Sequence, residues 1–323
     1  MKALTVEMTE SASSGLRLKD RVRSDLSRQW EQARRHRKHY LFMAPYALIF
    51  IVFTLLPVVF AICLSFTSFN MLQVPEFIGI KNYFRMFLND DIFIIALKNT
   101  LITAAIVGPG GYILSFLFAW LINELSRFMR VLFTIVFYAP SLAGGMVVIW
   151  SFFFSGDARA PINGILINLG LIGSPIVFFQ DTAYMMPLIV IVILWMSLGT
   201  TFLSFIAGFQ GIDAQYYEAA AIDGIRNRWQ ELWFVTLPMM RPQLLFGAVM
   251  SITGAFSTGG VQSALAGFPS TDYAVHTLAL HLEDYGTVRF EMGYACAIAT
   301  VLFLLMLVTN MAVQAFIRKV GSQ

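Results

Sequence analysis

One interval of this sequence has residue types and spacing that suggest a specific job. It runs from Gly211 to Pro242, between two long apolar runs. Asp213 can cap a helix start by accepting a hydrogen bond from a free backbone N–H. Residues 214–222 are good helix formers, and Gly224 can take the left-handed conformation that ends a helix. Pro238 and Pro242 break the chain again. The product is a short exposed helix, then a segment carrying Trp229, Leu232, Trp233 and Val235 that can pack on the membrane side. Ala219, Ala220 and Ala221 leave one helix face nearly bare, so another protein can approach closely. Tyr216 and Tyr217 are amphipathic anchors of the kind enriched at interfaces. The chemistry of such a segment is docking.

Catalytic chemistry finds little support. No Gly-Lys dipeptide occurs, so there is no phosphate loop of the Gly-x-x-x-x-Gly-Lys-Ser/Thr kind. No His-x-x-x-His or clustered Cys, His and carboxylate set suggests a metal, and no nucleophile has a plausible base beside it. His36, His39, His276 and His281 all lie outside the apolar runs and read as solvated loop residues. Cys63 and Cys296 sit in apolar runs far apart and read as free thiols.

The elements that must position the docking interval are membrane helices. Of 323 residues, 58% are hydrophobic and 13% charged, against about 25% charged in an ordinary soluble domain. Lipid must be the solvent for much of this chain. Six uncharged stretches are long enough to span, at roughly 41–66, 99–123, 131–154, 183–208, 243–265 and 292–317. A seventh, Ala160 to Gln180, is interrupted by Pro161, Asn163, Gly164, Asn168, Gly170, Gly173 and Pro175, and suits an external loop better.

Charge decides the topology. With six spans and an internal N-terminus, seventeen of the 22 Lys and Arg residues fall on the cytoplasmic side and five outside. A seventh span would put the basic cluster around Arg226 and Arg241 outside. Both termini are therefore expected in the cytoplasm. The expected organisation is a basic segment over 1–39, a six-span domain over 40–318 containing a cytoplasmic interval at 209–242, and a tail at 319–323. In the basic segment, Leu18, Val22, Leu26 and Trp30 recur every four positions. That pattern fits either a helix lying on the inner membrane face or a loosely ordered tail that only sets topology. The net charge of +3 is too small to argue for a nucleic-acid partner.

Glu218-Ala-Ala, Gly224 six residues on, then Leu237-Pro238 and Pro242 resemble the Glu-Ala-Ala signature of permease subunits of binding-protein-dependent ABC importers. The resemblance extends over roughly 40–318. Phe77-Ile-Gly-Ile-Lys-Asn-Tyr-Phe, Asn99-Thr100, Trp150 and Gly293-Tyr-Ala-Cys-Ala297 are similar to the carbohydrate branch, the maltose and glycerol-phosphate permease group. That branch often has Gly-Gly-Pro after the fifth span. Here Gly259-Gly260 is followed by Val261, and Gly267-Phe-Pro269 comes later.

The resemblance implies an all-α, six-span fold of the type I importer kind in a bacterial inner membrane. It implies a coupling helix in which Tyr217, Glu218, Ala219, Ala220, Asp223 and Gly224 meet an ATPase subunit. It also implies the partners: a second homologous permease, two ATPase subunits that use ATP and Mg, and an extracytoplasmic solute-binding protein that meets 160–180 and 266–289. This chain itself is expected to be no enzyme and to bind no cofactor or metal.

In that group the sugar sits near mid-membrane, beside the spans flanking the coupling interval. Trp195, Ser197, Thr200 and Thr201 are the candidates in the fourth span, and Ser251, Thr253, Ser257, Thr258 and Gln262 in the fifth. Sugar recognition needs hydroxyl or amide partners and a flat aromatic face. Ser and Thr in spans also commonly bond their own backbone or a neighbouring helix, and that alternative stands for each. The absence of ionisable side chains inside the spans counts against the runner-up, an ion-coupled secondary transporter, and tilts the substrate towards neutral saccharides.

Overall fold

The computed structural model describes the backbone of residues 37–320 and the side chains of residues 42–317. The stripe at Leu18, Val22, Leu26 and Trp30, together with His36, lies outside the described residues. The chain divides into two compact units, Met1–Phe60 and Ala61–Gln323. Among the described residues it is helical, with a single isolated bridge between Thr67 and Phe77 and no other strand pairing.

Helix α1 (Arg37–Phe50) opens the first span, which runs over Phe42–Leu64 through a π-helical turn at Ile51–Leu55. In the second unit, a short helix α2 (Lys81–Leu88) precedes α3 (Asp91–Asn123). At about 1.5 Å per residue, the 33 residues of α3 exceed the roughly 30 Å hydrocarbon layer, so its ends stand outside it.

The third span is bent. α4 (Arg127–Leu142) and α5 (Val147–Phe153), with the tight turn at Gly144–Met146 between them, form a pair bent by 82°. The uncharged run over 131–154 reads as one span, and Pro140 followed by Gly144-Gly145 supplies the break within it. The interval 160–180 is a loop with one short helix, α6 (Pro161–Asn168). The buried Asn163 closes it, donating to Ser155 O and Ile176 O (both 2.9 Å) and accepting from Ile176 N–H at 3.0 Å.

The fourth span is α7 (Thr182–Met196) and α8 (Thr200–Gln210), separated at Ser197–Gly199. The docking interval holds α9 (Ala214–Ile222) and α10 (Arg228–Glu231). The fifth span is α11 (Arg241–Phe256) and α12 (Gly260–Ala266). A short helix α13 (Leu278–Glu283) then leads to α14 (Met292–Val320), the sixth span. Among the described residues, five helical stretches are long and apolar enough to cross a membrane, and six if the bent pair is one span.

Spans two, four and five pack on one another, and span six lies against span five. Small residues permit the close approach. A Cβ on Gly111 would lie 2.8 Å from Ser197 Oγ, and one on Gly247 2.6 Å from the Phe205 ring. One core cluster gathers Phe93, Met185, Ile189, Leu278, Tyr294 and Ile298; a second gathers Ala119, Phe202, Phe205, Phe209 and Met240. The outward faces are apolar too, as lipid requires: Ile106, Ile113, Leu117 and Leu121 on span two, and Phe303, Leu304, Leu307 and Val308 on span six, are exposed.

Candidate functional site

At one end of the bundle, α9 carries the residues expected to dock. It starts where the Asp213 carboxylate accepts the Gln215 N–H at 3.1 Å, satisfying one of the free donors of the first turn. It ends with Ile225 N–H donating to Ala220 O at 3.0 Å and Gly224 N–H to Ala221 O at 3.3 Å, with Gly224 at φ +94°. This is the closure that a left-handed glycine allows.

The expected coupling residues divide between two directions. Glu218, Ala219, Asp223 and Gly224 are exposed, and so is Ile222, at 86%. Tyr217 and Ala220 turn inward. Ala220 is buried, and the Tyr217 hydroxyl shares a hydrogen bond of 3.0 Å with Thr236 Oγ1. Thr236 closes a π-helical turn (Leu232–Thr236) in which Leu232 and Val235 are buried while Trp233 stays exposed. Trp229 lies against Trp120 with ring centroids 5.0 Å apart. Arg228 pairs with Glu231 at 2.8 Å and with Glu124, just past the end of α3, at 3.0 Å. Reasoning from the sequence missed Trp120, Glu124 and Arg228. Their opposite charges and paired rings were the signal, but they fall in intervals about a hundred residues apart.

At mid-bundle, the interruptions of spans four and five face one cavity of about 560 Å³. Ser197, Thr200, Thr201, Ser251, Ser257 and Thr258 line it, with Gly111 and Gly144 contributed by span two and the bend of span three. Among the described residues, no charged side chain lines it. Interrupted helices leave backbone groups to be satisfied locally, which membranes tolerate only beside protein or a polar cavity. Three of the six hydroxyl donors are already committed. Ser197 Oγ donates to Leu194 O at 2.6 Å, Ser257 Oγ to Thr253 O at 2.9 Å and Thr258 Oγ1 to Ala255 O at 3.1 Å. The Ser197 and Ser257 lone pairs remain to accept from a ligand, and Thr258 Oγ1 keeps one beside the bond it accepts from Gln262. Thr201 sits 3.3 Å from Ser251, hydroxyl to hydroxyl.

Two candidates and the exposed Thr253 lie off the cavity lining. Trp195 packs edge-on against Trp150 at 5.5 Å. Gln262 is buried and donates to Thr258 Oγ1 at 3.2 Å, with its Oε1 unpartnered. Thr253 donates to Val249 O at 2.9 Å.

At the opposite end from α9, the structure corrects the reading of His276 and His281 as solvated. Both are about 99% or more buried. The chain after span five folds back between the starts of spans two and six. Asn99 Nδ2 donates to Tyr273 O (3.1 Å) and His276 O (3.0 Å), and Thr100 Oγ1 accepts from Leu278 N–H at 2.8 Å. Asp90 is the hub. It caps α3 by accepting Phe93 N–H at 2.9 Å, and its other oxygen accepts from the Tyr294 hydroxyl (2.7 Å) and His281 Nε2 (3.1 Å).

The carboxylate only accepts, so His281 donates from Nε2 and its Nδ1 accepts from His276 Nε2 at 3.4 Å. Burial pushes His276 down to about 4, with the neighbouring His281 acting in the same sense. Burial also lowers His281, against the pull of Asp90. Asp90 is opposed by burial, yet the Tyr294, Phe93 and His281 bonds outweigh it and hold its carboxyl below the usual range. Around this hub, Arg85 pairs with Glu291 and lies 4.3 Å above the Tyr294 ring, and Arg289 pairs with Asp284 at 2.8 Å. The local signal was Asn99-Thr100; Asp90 and His281 are separated by 191 positions.

A lipid-adapted helical bundle with an open cavity bearing six hydroxyl side chains at mid-bundle and an exposed, capped helix at one end is the architecture of a membrane transport subunit. Residues 111–322 match the model of the binding-protein-dependent transport system inner membrane component family, and the chain belongs to that family. It is 32% identical, over 84% of its length and 86% of the relative's, to the arabinooligosaccharides transport system permease protein of Bacillus subtilis (strain 168). It is 29% identical, over 84% of its length and 91% of the relative's, to the lactose transport system permease protein of Rhizobium radiobacter. A chain in the crystal structure of a bacterial ABC transporter involved in import of the acidic polysaccharide alginate shares the fold. Its TM-score is 0.71 at 22% identity, covering 90% of this chain and 99% of that one.

Proposed function

We propose that this chain forms half of the membrane pathway of an ATP-driven importer for a neutral sugar or oligosaccharide. A second, homologous permease supplies the other half. Two ATPase subunits, which use ATP and Mg, dock on α9 of each permease in the cytoplasm. An extracytoplasmic solute-binding protein delivers the sugar to the opposite end, touching the exposed positions of 160–180 and 266–289. Both termini lie in the cytoplasm, as the distribution of Lys and Arg favours.

The observation that carries the substrate class is the cavity. Six hydroxyl side chains line it, three of them (Ser197, Ser257 and Thr258) donating to backbone carbonyls and keeping lone pairs to accept, and among the described residues no charged side chain lines it. Sugar hydroxyls can donate to such a surface, while an anion would meet no compensating positive charge. Relatives whose names specify lactose and arabinooligosaccharides support the same class.

Coupling follows from how α9 is held. Its outer face presents Glu218, Ala219, Asp223 and Gly224 to the ATPase. Its inner face transmits the movement through Tyr217 to Thr236, and the following helix α10 transmits it through Arg228 to Glu124. Closure of the ATPase dimer then displaces α9 together with the ends of spans two and five, and the cavity changes the side to which it opens.

The test is reconstitution of the complete complex with the solute-binding protein, using the ligand that co-purifies with that protein. ATP-dependent accumulation of a sugar is the expected result. Uptake driven by an ion gradient with no ATPase present overturns it.

A further inference from the structure

Helix α2 is amphipathic in the wrong sense for a water-facing helix. Ile80, Phe84, Phe87 and Leu88 recur at the spacing of one helical stripe, and all four are exposed, Leu88 at 72%. The inward positions are Asn82, at 6% exposure, and Met86, at 0%. Asn82 spends its amide on protein backbone, donating to Ser65 O at 2.8 Å and Thr67 O at 2.9 Å. Arg85 is turned to Glu291 and the Tyr294 ring. The Asn82 amide and the Arg85 guanidinium are therefore turned to protein, and the apolar stripe points out.

The level of α2 along the bundle is set by its contacts. It packs against α3 and α14. Arg85 holds Glu291, and the sixth span turns apolar at Met292, the next residue. Phe87 lies edge-on to Phe93 in the first turn of α3 at 5.3 Å. So α2 sits where two spans enter the bilayer.

We infer that α2 is an interfacial anchor, lying with Ile80, Phe84, Phe87 and Leu88 in the lipid headgroup and upper acyl layer. A short helix with a dry stripe of large apolar side chains at that depth buries the stripe in the bilayer boundary. The exposed Lys81 beside the stripe can keep its ammonium among lipid phosphates while its stem lies on apolar surface. A protein partner that must leave in every transport cycle fits less well. Transient interfaces carry a polar rim with direct hydrogen bonds, and α2 has turned its amide and guanidinium inward. The anchor fixes the depth of the Asp90 end of the bundle, because Arg85 and Phe87 are fastened to spans six and two.

The experiment places a nitroxide at Leu88→Cys and, separately, at Phe84→Cys, in a Cys63→Ser and Cys296→Ala background. The complete transporter is reconstituted in phosphatidylethanolamine and phosphatidylglycerol vesicles, and accessibility to oxygen is compared with that to a neutral nickel chelate. The expected result at both sites is a clear excess of oxygen over nickel-chelate accessibility, because the apolar face lies in the membrane boundary. High accessibility to both reagents means water and overturns the inference. Low accessibility to both means burial against a protein partner and overturns it equally.

Discussion

The two ends of this bundle are built on opposite plans. At the Asp90 end, one chain satisfies itself: a carboxylate, two imidazoles and a phenol are buried and bonded to one another, and two Arg–carboxylate pairs close around them. At the α9 end, the helix is held by a few bonds on one face and presents Glu218, Ala219, Ile222, Asp223 and Gly224 to whatever comes next. Buried polar networks are costly unless complete, so a complete one belongs where the fold must be rigid without help. An exposed apolar residue such as Ile222 on a capped, sparsely fastened helix belongs where a partner completes the structure. One end completes its own bonding, and the other, in the proposed function, is left open for coupling.

The largest effect that would break this contrast is at α9. Gly224 is at φ +94°, and a Cβ there meets nothing within 4 Å. The Gly224→Asp change therefore strains only the local backbone, by about 1–2 kcal/mol, and adds a charge to the docking face. Uptake is expected to fall about tenfold or more with little change in the unfolding temperature of the purified chain. Glu218→Lys should act in the same way. Wild-type uptake and ATPase binding in both variants would remove α9 from coupling.

Next is Asp90→Asn, which keeps the shape and removes the charge shared by Tyr294 and His281. Hydrogen bonds to a buried charge are worth about 1.5–3 kcal/mol each, so thermal stability should drop by about that order while uptake per folded transporter is largely retained. Unchanged stability would mean the Asp90 end is no keystone.

A pH titration sharpens the same point. His276 is held down to about 4 in the folded chain, against about 6.5 when unfolded. Between these values the unfolded state binds more protons, so stability is full above about pH 6.5 and is lost progressively as pH falls towards 4. His276→Asn should flatten that slope in thermal unfolding; a slope unaltered by the substitution would assign the acid sensitivity elsewhere. The smallest expected effect is in the cavity. Ser257→Ala removes one acceptor from the lining and should change the sugar dependence of ATPase activity a few-fold, on the scale of one hydrogen bond of about 1 kcal/mol. Unaltered kinetics would remove Ser257 from the pathway.

The α9 helix is legible in the sequence alone, because caps and terminators are local: Asp213 and Gly224 act on backbone within a few residues of themselves. The six polar positions that share the cavity are legible only as types. Nothing in the spacing of Thr200 and Ser257 says that two helices break at the same depth. Trp195 is a fair candidate by type, yet packing against Trp150 claims it. His276 and His281 mislead for a related reason. A loop histidine is solvated unless something distant covers it, and here the covering groups come from residues 90, 99 and 294.

By itself the sequence determined the solvent of this protein, its number of spans, the asymmetry of its basic residues and the short capped helix between spans four and five. All of these follow from composition, run length and neighbours within a turn or two, where free energies are set locally. Only the tertiary structure decided which polar groups are buried, which helix breaks meet at one cavity, and that α2 faces the wrong way for water. Those outcomes depend on desolvation and hydrogen bonding between residues up to about two hundred positions apart, and no local pattern encodes which of them will meet.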